Sequence, residues 1–85
     1  MKRNSHPDII NRLRRAEGHL KSVLKMLEDD EGCLEIAQQL HAVEAAMANA
    51  KKELIHDHIE HCLDDGHTED SKSAMRELKQ ISKYL

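Results

Sequence analysis

Apolar residues recur through the first third of the chain at Ile9, Leu13, Ala16, Leu20, Val23 and Leu27, in alternating steps of four and three. That is the seam of a helix packed nearly antiparallel on a neighbour, and it predicts a first helix from about His6 to Glu28. Ser5, Pro7 and Asp8 read as its start: a capping hydroxyl, a proline in the first turn and an acid. A second seam, Ile36, Leu40, Val43, Met47, Ala50 and Leu54, repeats the rhythm. From Cys33 to Cys62 there is no internal glycine or proline, so one long helix is predicted, capped by Asp29 or Asp30 and stopped by Asp64, Asp65 and Gly66. His67 to Asp70 read as a loop, with Thr68 or Asp70 capping a third helix that carries Ala74, Met75, Leu78, Ile81 and Leu85 on one side. The expected class is all-α: a three-helix subunit forming a single domain over residues 1–85.

The long helix orders the candidate chemistry. At about 100° per residue, His58 and Cys62 each fall within roughly 20° of Cys33 in azimuth, so the three share one stripe. In height they are far apart: with ~1.5 Å rise per residue, Cys33 lies roughly 37 Å from His58 and ~44 Å from Cys62. His58 and Cys62, one turn apart, are able to grip the same atom. A lone chain therefore cannot close the set, whereas a second copy running antiparallel about an axis near Ala46 and Met47 brings Cys33 of one beside His58 and Cys62 of the other. The same register sets Leu40 against Ile55 and Glu44 against Lys51, and Ala45, Ala46 and Ala48 allow close approach at the axis.

Length points the same way, because 85 residues give a thin core. Phe and Trp are absent and Tyr84 is the sole aromatic, which argues against binding single strands by base stacking. No apolar run is long enough to span a bilayer and Met1 to Pro7 carries no hydrophobic signal, so a cytoplasmic protein without a membrane partner is expected. There, two cysteines suit metal ligation or redox sensing better than a structural disulfide. The net charge of −3 argues against nucleic acid, but its distribution argues for it. Residues 1–25 hold Lys2, Arg3, Arg12, Arg14, Arg15, Lys21 and Lys25 against Asp8 and Glu17, and acids gather at 28–35 and 60–70.

Two thiolates and an imidazole form a soft donor set that suits Cu(I); with a fourth ligand it would hold Zn(II), Co(II) or Ni(II). His6 is a candidate extra ligand, His61 a candidate outer donor, and His56 lies off the stripe. The same sulfurs would permit a disulfide or polysulfide bridge between copies, although that chemistry has no use for the histidine. No phosphate loop or catalytic constellation is present, so an enzyme is not expected.

Asn11-Arg12-Leu13-x-Arg15-x-x-Gly18-His19-Leu20, Gly32-Cys33, Gln38-Gln39-Leu40-x-Ala42-Val43, Ala45-Ala46 and His58-x-x-x-Cys62 together resemble the CsoR/RcnR family of bacterial metal-sensing transcriptional repressors, over nearly the whole chain. The Cys, His, Cys set is similar to that of the copper-sensing branch. Nickel and cobalt sensors place a histidine where Cys62 stands, and persulfide sensors lack the histidine. The resemblance implies a helical dimer assembling as a dimer of dimers, bound to operator double-stranded DNA when metal-free and released when metal binds between subunits. It places metal ligation on Cys33, His58 and Cys62, an outer acid on Glu77 within Ala74-Met75-Arg76-Glu77-Leu78, and DNA contact on Arg12 with the neighbouring Arg14, Arg15 and Lys21. Two positions depart from the pattern. Gly32 stands where copper sensors commonly have tyrosine, and Asn49 stands where the family often has a basic residue, a departure that either weakens DNA contact or shifts it toward Lys51 or Lys52.

Overall fold

A computed structural model describes the backbone of residues 6–65 and 68–85, and the side chains of 6–60, 72–73 and 75–85. The expected cap at Ser5 and the stop at Gly66 lie outside these residues. Helix α1 spans His6–Glu28, α2 spans Cys33–Asp65 and α3 spans Thr68–Ile81, followed by a 3-10 turn over Ser82–Tyr84. No strand occurs among the described residues. The class is all-α, as the apolar rhythm requires.

The α1–α2 connection corrects the expected cap. The Glu31 N–H donates to the Met26 carbonyl at 3.0 Å and the Asp30 N–H to that of Leu27 at 3.2 Å, a Schellman closure of α1. Asp30 takes the left-handed position that this closure needs, with φ 58°. Asp30 thus ends the first helix instead of starting the second. Gly32 caps α2, accepting from the Ile36 N–H at 3.1 Å, and Cys33 is the first helical residue. The expected loop over His67 to Asp70 is also shorter, because α3 has begun by Thr68. At the other end α3 tightens: Ser82 Oγ donates to the Lys79 carbonyl at 2.6 Å, and the 3-10 turn replaces an α-helix continuing to Leu85.

The short connection folds α2 back along α1, and each seam then divides into two heptad rows. Ile9, Ala16 and Val23 on α1 and Ile36, Val43 and Ala50 on α2 are buried, with Val23, Ile36 and Val43 forming a cluster that Met26 flanks. The alternate row, Leu13, Leu20 and Leu27 on α1 and Leu40, Met47 and Leu54 on α2, stays exposed. Ile55 departs from the expected pairing with Leu40 of a second copy, since it is already 3% exposed within its own chain. The accessible surface, 6993 Å², exceeds the roughly 5,200 Å² of a compact monomer of this mass. The radius of gyration, 17.3 Å, likewise exceeds the ~12 Å of a compact chain this long. Half of the apolar seam therefore has no cover in one chain.

Candidate metal centre and nucleic-acid interface

Helix α2 runs unbroken from Cys33 to Asp65, so the long separation of Cys33 from His58 stands. Cys33, at the first turn, is exposed and free. His58 is 4% exposed, a buried polar residue among the described ones. It lines a cavity of about 490 Å³ with His6, Lys51, Leu54, Ile55, Glu77, Ile81 and Tyr84, drawn from all three helices and the final turn. Glu77 of α3 thus lines the same cavity as the imidazole. His6 does too, and its Nε2 lies 3.9 Å from Asp57 Oδ2. Cys62 lies one turn beyond His58 on α2, and its side chain, like that of His61, falls outside those described. His56 pairs instead with Glu60 at 3.4 Å on the exposed side. Among the described residues no three potential ligands gather within one chain.

Two thiols and an imidazole are, by their chemistry, a donor set that would suit a soft ion. A carboxylate that lines the same cavity as the imidazole is the kind of group that can orient a metal-ligating ring. An exposed cysteine at the far end of the rod is free to reach a second copy.

A separate crevice of about 240 Å³ lies between the helices, lined by Arg12, Arg15, Ala16 and His19 of α1 with Ala46 and Asn49 of α2. Two guanidinium groups, an imidazole and a carboxamide converge there, a donor-rich surface of the kind that grips phosphate or base edges. His19 is fixed by its Nε2–H, which donates to Gln39 Oε1. Arg14 and Lys21 are exposed on α1 but do not line the crevice. Sequence reasoning missed His19 as a member, although the spacing of Arg12, Arg15 and His19 places them on one helix face. It also missed Lys51 and Tyr84 as neighbours of His58. No pattern signals Tyr84, because only the return of α3 brings it there.

Comparison with known proteins gives the chain its family. A family model described as metal-sensitive transcriptional repressor matches residues 5–84. The copper-sensing transcriptional repressor CsoR of Bacillus subtilis is 40% identical over 76 residues, covering 88% of this chain and 75% of that protein. CsoR of Mycobacterium tuberculosis is 33% identical over 79 residues, and there the match covers 88% of this chain but 64% of the longer relative. Among solved structures, Cu(I)-bound CsoR from Geobacillus thermodenitrificans superposes with TM-score 0.82 at 32% identity, covering 99% of this chain and 88% of that one. The nickel-responsive regulator InrS superposes with TM-score 0.81 at 28% identity, covering 100% and 98%. No described helix is long and apolar enough to cross a membrane. With a family model spanning nearly every residue and copper-sensing relatives sharing up to two residues in five, this chain belongs to the family of metal-sensitive transcriptional repressors, which are not enzymes.

Proposed function

We propose that this protein represses transcription by binding operator DNA in its metal-free form and leaves the operator when Cu(I) binds between two antiparallel copies. Cys33 of one copy and His58 with Cys62 of the other are the ligands, and Glu77 orients the His58 ring. The observation that carries this reading is the unbroken α2, with an exposed cysteine at one end and a buried imidazole roughly 37 Å along. Relatives named as copper sensors support the choice of metal. The uncovered Leu13, Leu20, Leu40, Met47 and Leu54 support pairing of copies, which then assemble as a dimer of dimers. Arg12, Arg14, Arg15 and Lys21 supply the DNA contacts.

Mass spectrometry under competition with a Cu(I) chelator tests it. One tightly held copper per subunit is expected, lost in both Cys33→Ala and His58→Ala, together with release of DNA on adding Cu(I). Tight copper in either variant overturns the site.

A nickel, cobalt or zinc sensor is the second reading, favoured by His6 lining the cavity of His58. In that case the visible spectrum of the Co(II) form changes in His6→Ala, and under the copper reading it does not. A persulfide switch through Cys33 and Cys62 predicts a cross-linked dimer on non-reducing gels after polysulfide treatment, with DNA released and His58→Ala without effect.

A further inference from the structure

Gly18 lies mid-helix, where glycine costs about 1 kcal/mol relative to alanine. Nothing inside the chain requires it: a Cβ built there meets no atom within 4 Å. One turn on, Ser22 Oγ donates to the Gly18 carbonyl at 3.4 Å, a back-bond that further weakens a helix. Two helix-weakening choices therefore coincide at one exposed spot. By helical phase the residues around it are Asn11, Arg14, Arg15, Lys21, Ser22 and Lys25, the outward face of α1 opposite buried Ile9, Ala16 and Val23. Lys25 pairs with Asp29 at 3.2 Å, but among the described residues no carboxylate pairs with Arg14, Arg15 or Lys21. The bare backbone is thus flanked by Arg14, Arg15 and Lys21, three cations without an ion-pair partner among the described residues.

We infer that Gly18 is where a DNA phosphate strand comes closest to α1, its missing side chain leaving a notch that Arg14, Arg15 and Lys21 surround. This rests on the repressor reading and adds to it a contact made by shape. Cations alone bind a phosphate strand at arm's length, whereas a notch allows the backbone of the helix to approach it.

The test uses the full chain and a duplex selected from a random-sequence pool by the unaltered protein, with Gly18→Ala and Gly18→Gln compared. Both variants should unfold at higher temperature than the parent, because the helix gains and nothing clashes. Both should keep the parent's mass by light scattering and its copper stoichiometry. Affinity for the duplex should fall several-fold in Gly18→Ala and more than tenfold in Gly18→Gln. Parental affinity in both variants overturns the inference while leaving the repressor reading intact. A loss of affinity accompanied by a change in mass overturns it in favour of contact between copies. If the parent selects no duplex, the repressor reading itself fails, and this inference with it.

Discussion

Cys33 and His58 occupy one continuous helix about 37 Å apart, the thiol exposed at the first turn and the imidazole 4% exposed beside the cavity that Glu77 also lines. At the proposed site this separation requires two chains, which gives the proposal a genetic signature. Cys33→Ala and His58→Ala are each expected to abolish tight Cu(I) binding. Unfolded together and refolded at equal concentration, half of the dimers are mixed. Each mixed dimer keeps one complete site, with Cys33 from the His58→Ala copy and His58 and Cys62 from the Cys33→Ala copy. About a quarter of the parental copper stoichiometry should return. A site closed within one chain would return none.

Asp30 makes a separate prediction about stability. It holds φ 58° at the close of α1, where a side chain is strained, and its carboxylate sits at the negative end of the helix dipole. Asp30→Gly relieves both, and the unfolding free energy should rise by roughly 0.5–1 kcal/mol in urea titrations. Asp30→Ala keeps the strain and should not stabilise to the same extent.

The split seam predicts that two neighbours on α2 fail differently. Val43, 4% exposed, belongs to the core of the single chain, and Val43→Ala should cost about 2 kcal/mol of stability without altering the mass of the assembly. Leu40, 44% exposed, lies in the uncovered row. Leu40→Glu places a charge on the face proposed to seat the second copy, and sedimentation should show the dissociation constant between copies rising more than tenfold.

These contrasts show where the sequence was legible. The bounds of α1 followed from the apolar rhythm and from Pro7, because both are local properties. The closing of α1 at Asp30 did not, since glycine is the usual occupant of that position and Gly32 stands two residues on. The stripe of Cys33 and His58 could be read from spacing alone. The burial of His58 and Ile55 could not, because it depends on where α3 returns, and α3 is held by tertiary contact more than by its own propensity. Likewise Arg12, Arg15 and His19 share a face by their spacing, but only the register of the α1–α2 hairpin sets Asn49 opposite them.

That apposition leads to a prediction about salt. DNA affinity falls with added salt in proportion to the number of phosphate charges neutralised, with a slope near −0.9 per contact on a duplex. Arg12→Gln and Arg15→Gln should each weaken binding and make the slope shallower by about 0.9. Asn49 lines the same crevice without a charge, so Asn49→Ala should lower affinity and leave the slope unchanged. Asn49→Arg should do the reverse, strengthening binding across sequences and steepening the slope by about 0.9, because it adds a third guanidinium beside Arg12 and Arg15. Fluorescence anisotropy over a salt series measures all four. If Asn49→Arg leaves the slope where it was, the crevice does not face the phosphates, and the proposed DNA contact rests on the outward stripe of Arg14, Gly18 and Lys21 alone.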